Sequence, residues 1–556
     1  MAGNRLEAID LTDFTGGLNL RRDQFQLGDS ESPDMLNVDV DPRGGFYTRK
    51  GWRRWNNTDV PGVGLGQWKP RNAMVHNLAD LTQVVYVASG AKLYAAANDA
   101  VFVEVAGVAC NASPHEADFA AWGDNVYITT GPFGPSYRRS ATGALSTMTG
   151  ATWSEVDAPV HNTVPNAQFV ETHIGYLFVA NISEGAALYP ARIRWSHPNS
   201  PDCFRQLDFI DIDAGGGRIT AIMSFSDHLL IFKTNSLWAL YGYDDASWQL
   251  IKVSNNVGCP AITSVTRSET AVYFFSASNR GGIYGYSGSQ PVYMSEKIAP
   301  ALEAVLAYDL VFVSWAGRRL WVSVPWGKKV GSTAEPDSLL IFDPDIGQGS
   351  WSMYRSEHGA VTVVIDGSDV NAKFPLASFW CHNHAVMVVL DSIDDAYDEI
   401  KVPDVSEPFE SYYRTRWMNG GWPDRLKSWR RPMFICRKVP RHVNLLVEQY
   451  RDYDETTVRR TGQVDIAAES GPQWTEFGFD DPSGTGFDWT EEGANDPSGR
   501  GADWGETRAG ASLLRGGPMG HARALQVRVV AAPSTPLQKW GVDGIVIKIV
   551  TRRFRT

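Results

Sequence analysis

The sequence predicts an all-β protein organised around a β-propeller, and three observations lead there. A turn pair followed by a short apolar run recurs along the middle of the chain: Gln83 opens VVYV, Asn125 VYIT, Gly175 YLFV, Thr270 AVYFF, Arg319 LWVSV and His384 AVMVV. The stretch Phe225–Gly242 reads as a complete hairpin, His228–Lys233 and Ser236–Tyr241, turning at Thr234-Asn235, where Asn tolerates the left-handed backbone of a tight turn. No stretch of about a dozen residues carries the 3.6-residue apolar spacing of a helix. The matching positions Tyr86, Tyr127, Leu177, Leu230, Tyr273, Trp321 and Met387 follow one another at roughly 40–50 residues, with a wider last step, which is the repeat length of a four-stranded blade.

The chain has 556 residues, 43% of them hydrophobic and 12% aromatic, with 20 Trp, enough for more than one packed core. Its net charge of −12 disfavours stable wrapping of nucleic acid, which calls for a basic surface. Five Cys lie scattered and no CxxC pair occurs, so neither a disulfide framework nor a zinc site is expected. The N-terminus MAGNRLEAIDLTDF has no apolar leader region and no long apolar run follows, so the chain is expected to be soluble and made in the cytoplasm of its cell.

Residues 1–66 are expected to form an extended arm. Turn signals at Gly16-Gly17, Gly28-Asp29, Ser32-Pro33-Asp34 and Pro42–Gly45 come too often for helices and leave room only for short strands. Such an arm packs along a neighbouring surface, because alone it buries too little to offset its ordering entropy.

Residues 67–404 are expected to make the propeller, with seven blade starts; six blades and an irregular sheet is the alternative count. The widened last step is read as an insertion, and Trp326–Asp337 as a polar loop between strands. The run Asp391, Asp394, Asp395 and Asp398 lacks the central Gly and the spacing of a calcium loop and is read as a solvated acidic turn. Cys381-His382-Asn383-His384 has no second Cys/His pair at zinc spacing and is read as a turn leading into a strand. No GxSxG, HExxH, Walker or GxGxxG motif occurs. No catalytic residue, metal or cofactor is therefore assigned and no enzyme expected. A propeller glycosidase would need only two carboxylates, which cannot be picked out among 63 acids.

Residues 405–556 are expected to form a β-sandwich-like domain. HVNLLVEQY, HARALQVRVV and GIVIKIVTRRF alternate as strands with one buried face, and Lys and Arg concentrate between 411 and 460. The basic patch could contact DNA, but is read more simply as solvent-facing or as a contact for an acidic subunit. An insertion at about 470–508 holds a second repeat, with Trp474, Trp489 and Trp504 equally spaced and DPSG recurring at Asp481 and Asp496. These three Trp are candidate contacts, either for assembly with a neighbouring subunit or for a carbohydrate receptor.

Several of these residues also carry a resemblance. Gly16-Gly17-Leu18-Asn19, Ser32-Pro33-Asp34, Leu36-Asn37-Val38-Asp39 and Gly44-Gly45 followed by Arg49-Lys50-Gly51-Trp52 are similar to the opening of bacteriophage tail β-propeller proteins, the nozzle and minor tail protein group. The basic pair here leads straight into Gly51, without the residue that separates them in that group. The likeness continues through Arg192, Arg194, Trp195 and Ser196, then Ile212-Asp213 and Ile219-Thr220, then Leu229–Lys233 with Ser236 and Trp238, and Gly258-Cys259. It implies a structural protein of a virion tail: a ring or tube, hexameric in the nozzle case, at the distal tail, helping to conduct the genome and supporting host attachment. It further implies adaptor, fibre or tip proteins as partners, transient passage of DNA, and Gly16, Gly17, Asn37 and Gly51 as candidate arm contacts. The alternative is a tail-tip minor tail protein that binds the host envelope.

Overall fold

A computed structural model describes residues 5–551 apart from 62–71, 111–116, 149–160, 326–337, 366–375, 401–406, 437–442, 467–511, 514–520, 532–538 and shorter stretches of one to four residues. The chain divides into two compact units, residues 18–23 with 50–409, and residues 1–17 and 24–49 with 410–556.

The first unit is the propeller. Its described residues form seven four-stranded antiparallel sheets. The first strands of blades 1 to 7 are Asn72–Asn77, Asp118–Trp122, Asn166–His173, Ile219–Phe225, Val265–Arg267, Phe312–Ala316 and Ala360–Ile365. These strands touch one another in a closed cycle, the last against the first, and so line the axis. Each blade then steps outward through antiparallel hairpins. In blade 4 the sequence-predicted hairpin appears as His228–Lys233 and Leu237–Tyr241, with Leu229, Ile231, Leu240 and their neighbours buried. Apolar side chains fill the spaces between blades. Phe178 and Trp195 of blade 3 share a core with Ile222 and Ile231 of blade 4, and Phe232 and Leu237 of blade 4 with Phe274 and Tyr286 of blade 5. A sheet buried on both faces reads as a continuous apolar run, which is why the second strands stood out in the sequence.

The seventh blade differs from expectation. Its outermost strand is Gly51–Arg54, which pairs with His384–Ile393 and closes the ring with chain from before the first blade. Met387 therefore lies on a third strand, whereas Tyr86, Tyr127, Leu177, Leu230, Tyr273 and Trp321 lie on second strands. Part of the widened last step is this change of strand: with Gly51–Arg54 covering its far side, the third strand becomes as apolar as a second one. Asp398 also departs from its reading as a solvated turn. It is 2% exposed, and its Oδ1 accepts the backbone N–H of Trp52 at 3.0 Å.

The second unit has two sheets. The larger centres on Gly541–Thr551, flanked by Arg5–Leu11 in full register with Ile545–Thr551 on one side and by Met433–Cys436 and Lys427–Trp429 on the other. The smaller runs Asp34–Leu36, Tyr412–Arg414, Leu525–Ala531, Val443–Arg451, Arg460–Ile466. Along Val443–Arg451, Val443, Leu445, Val447 and Gln449 are buried while Asn444, Leu446 and Glu448 are partly exposed, the alternation of a strand with one face inward. Phe46 of the larger sheet stacks on Tyr413 of the smaller at 4.2 Å, with Phe14 and Trp540 edge-on to Phe46 at 4.8 and 6.0 Å. The segment expected to be an extended arm thus supplies strands to both sheets here and the closing strand of blade 7. Most of its short apolar segments are buried strand pieces. The insertion at about 470–508, with Trp474, Trp489 and Trp504, lies outside the described residues, as does the loop Trp326–Asp337.

Candidate functional site

The four arm positions singled out in the sequence each meet a local backbone demand. Gly17 has a φ of 61° and closes a turn by donating its N–H to Phe14 O at 3.1 Å. At Gly16 a Cβ would come within 2.7 Å of Glu31 Cγ and Ser30 Oγ. Asn37 is 1% exposed with a φ of 51°. Its Nδ2 donates to Glu410 O at 2.7 Å, its Oδ1 accepts from Arg49 Nε at 3.0 Å, and its carbonyl accepts the Arg49 N–H at 3.0 Å. At Gly51 a Cβ would lie 1.8 Å from Tyr397 O, so no side chain fits beneath the crossing strand.

The other residues of the resemblance behave alike. Ser196 Oγ accepts the Leu177 N–H at 2.9 Å, and the buried Arg194 pairs with Glu184 at 2.8 Å. Lys233, fully buried, donates Nζ to the carbonyls of Ile212 and Asp213 at 2.5 and 2.6 Å, and burial holds its pKa below the usual lysine value. Thr220 Oγ1 donates to Cys259 O at 2.6 Å, and the Cys259 N–H to Lys233 O at 2.9 Å. The first two contacts brace blade 3 internally, while those of Lys233, Thr220 and Cys259 join blade 4 to the segments on either side of it. The pattern found in the sequence is therefore one of chain crossings and blade joints.

Two features were not read from the sequence. One is the polar lining of the inner ring. Asp118 of blade 2 accepts the Val170 N–H of blade 3 through Oδ2 at 3.0 Å. Thr266 of blade 5 accepts the Trp315 N–H of blade 6 at 3.0 Å, and Ser314 of blade 6 the Val364 N–H of blade 7 at 3.4 Å. Glu171 of blade 3 lies between Asp118 of blade 2 and the Ser224 backbone of blade 4. Arg267 of blade 5 reaches back to Ser224 O at 2.8 Å and stands 4.0 Å from Glu171. Burial pushes Asp118 up to about 7 and Glu171 up to about 8, and pushes the neighbouring His173 down to about 4. Asp118 and Glu171 are isolated acids that belong to no motif, and no signal in the sequence sets them apart.

The other feature is a cleft of about 580 Å³ between blades 4 and 5, lined by Phe225, Asp227, His228, Tyr241, Arg267 and Glu269 among others. At its edge Asp227 bonds His228 Nδ1 at 2.8 Å, and His228 Nε2 meets the Tyr286 hydroxyl at 3.1 Å. Burial raises the Tyr286 pKa, so its hydroxyl keeps its proton at neutral pH. A second cavity of about 400 Å³ lies on the axis among the first strands of blades 1, 5, 6 and 7, walled by Ala73, Met74, Phe312, Trp315 and Val364 with Arg267 at its edge. Among the described residues no three His, Cys, Asp or Glu converge to hold a metal ion. Cys110, Cys203, Cys259 and Cys436 are buried and in no disulfide, and burial pushes the thiols of Cys110, Cys259 and Cys436 up to about 11, 12 and 12, so those three pack as small apolar groups.

Fold and sites together define a seven-bladed β-propeller protein with an added two-sheet unit. The chain matches no protein-family model and no curated protein sequence. Among solved structures it is similar over 60% of its length to a catalytically inactive virginiamycin B lyase from Staphylococcus aureus with quinupristin, at 11% identity, 98% coverage of that chain and a TM-score of 0.38. Over 63% of its length it is similar to the Pan2 WD40 domain of Neurospora crassa, at 9% identity, 97% coverage and a TM-score of 0.37.

Proposed function

We propose that the protein is a structural component of a bacteriophage tail, one copy of a ring or tube at the distal tail that helps conduct the genome and supports host attachment. The observation that carries this reading is the role of the residues behind the resemblance. Gly16, Gly17, Asn37, Gly51, Arg194, Lys233 and Gly258 answer steric or hydrogen-bonding demands of the chain's own path. A pattern of that kind is shared between chains that share a scaffold, not a chemistry. The axial cavity of about 400 Å³ is far too small for duplex DNA. In this reading the conduit for the genome runs between copies, in a ring whose heterologous interface closes.

The test is the copy number of the chain per virion, together with the mass of the purified protein. A ring component is expected at a multiple set by tail symmetry, six in the nozzle case, and in closed rings under the electron microscope. One to three copies at the tail tip, with binding to isolated host envelopes, would replace this reading with the envelope-binding minor tail protein. Absence from purified particles would overturn both.

A further inference from the structure

Blades 2, 3, 4 and 6 each join their first two strands by a two-residue turn: Gly123-Asp124, Ile174-Gly175, Ser226-Asp227 and Gly317-Arg318. Such turns set the backbone left-handed and favour Gly, Asn and Asp, with Asn-Gly a preferred pair. Blade 3 departs from that preference. Ile174 has a φ of 44°, followed by Gly175 at 73°, and its side chain is 37% exposed. A β-branched residue is strained in that region, and here burial offsets only part of the cost.

Two neighbouring loops carry apolar side chains that are more exposed still, Leu207 at 79% on blade 3 and Tyr243 at 73% on blade 4. The three loops are braced together. The Asn199 N–H donates to Gly175 O at 2.8 Å, and Arg205 pairs with Asp245 at 3.4 Å across the two blades. The Tyr243 and Asp244 N–H groups both donate to Ser247 Oγ at 3.0 Å, and the Phe209 N–H to Leu207 O at 3.0 Å. Trp248 of blade 4 lies edge-on to Tyr176 and Trp195 of blade 3, at 5.5 and 6.2 Å. Asp208, Asp244 and Asp245 face the Tyr176 hydroxyl with Arg205 as the base among them, so the surface is acidic. Apolar groups held out on braced loops are prepared for a partner, because little loop entropy remains to be lost on binding.

The second unit carries a surface of the opposite kind, at the end of the hairpin Val443–Arg451 and Arg460–Ile466. Arg451 is flanked there by Arg459 and Arg460. The Arg523 N–H donates to Asp452 Oδ1 at 2.6 Å, and Lys427 Nζ joins Arg425 O and Arg523 O at 2.9 Å each, which brings the exposed Arg425 and Arg523 to the same end. Asp454 is taken up by Arg459 at 2.9 Å. Leu426 and Val458 stand 50% and 38% exposed beside these bases.

We propose that Ile174, Leu207 and Tyr243, with Asp208, Asp244 and Asp245, form a docking surface for a second copy of this chain, which meets it through the basic hairpin end of its second unit. The two surfaces are unlike and complementary in charge, as the two halves of a heterologous interface must be, and the inference rests on the ring reading above.

Sedimentation velocity of the purified whole chain tests it. A multimer is expected, weakening as salt rises from about 50 to about 500 mM. Leu207→Ala with Tyr243→Ala is expected to weaken association on the order of tenfold or more, and Val101→Ala, 59% exposed on blade 1, to leave it unchanged. Ile174→Asn supplies the preferred turn pair, so it is expected to raise the melting temperature while weakening association. Asp244→Lys with Asp245→Lys, and separately Arg425→Glu with Arg523→Glu, are each expected to sediment as monomers, and an equimolar mixture of the two to associate again. A mixture no better than its parts, or an equal loss in Val101→Ala, would overturn the proposal. A multimer untouched by all these changes would overturn this docking surface and leave the ring standing. A chain that is monomeric at every concentration would overturn the docking surface too, while the copy number per virion judges the ring by itself.

Discussion

Asn37 offers the sharpest test of whether the arm residues hold the chain's own path. It combines a left-handed backbone with two side-chain bonds in a site 1% exposed, one from Arg49 Nε at 3.0 Å and one to Glu410 O at 2.7 Å. Asn37→Ala loses the tolerance that the short polar side chain of Asn has for the left-handed region, at about 1–2 kcal/mol. It also removes a bond to a charged donor, typically ~1.5–3 kcal/mol, and a neutral one, about 0.5–1.5 kcal/mol. The expected loss is about 3–6 kcal/mol, a large share of the stability of an ordinary domain. Asn37→Gly removes the same bonds but not the backbone preference and is expected to lose about 1–2 kcal/mol less. Asn37→Asp keeps the acceptor for Arg49 and is expected to be the mildest of the three. Urea unfolding followed by near-ultraviolet circular dichroism gives the midpoints, in the expected order Ala lowest, then Gly, then Asp. Equal midpoints for Ala and Gly would remove the backbone part of the argument, and an unchanged Ala midpoint would refute all of it.

Two further outcomes follow from the joints. Gly258→Ala places a Cβ 2.1 Å from Lys233 O and 2.6 Å from the Ser236 nitrogen, so the crossing between blades 4 and 5 must shift; a loss of about 1–3 kcal/mol is expected in thermal unfolding, and an unchanged melting temperature would show that the crossing can yield. Deleting residues 1–11 strips the partner from Ile545–Thr551 and leaves a long apolar edge strand, so the truncated chain is expected to aggregate on concentration, as measured by light scattering; a soluble, fully folded truncation would mean that the arm strand is dispensable.

Much of the fold was legible in the sequence because strands and turns are local. The apolar runs at Tyr86, Tyr127, Leu177, Leu230, Tyr273 and Trp321 mark second strands because a strand covered on both faces is apolar throughout, whatever it pairs with. The hairpin at Thr234-Asn235 needed only its own residues, and the alternation along Val443–Arg451 announced a sheet with one buried face. Pairing partners are another matter, since the row of N–H and C=O groups along a strand is the same for any partner. Nothing in Gly51–Arg54 says that it closes blade 7 against His384–Ile393, nor in Arg5–Leu11 that it lies along Ile545–Thr551 at the far end of the chain. The chemistry of the inner ring was hidden for the same reason. Asp118 is one acid among 63, and only the folded ring buries it and sets it against the Val170 N–H of the next blade, because desolvation is a property of the neighbours that tertiary structure supplies.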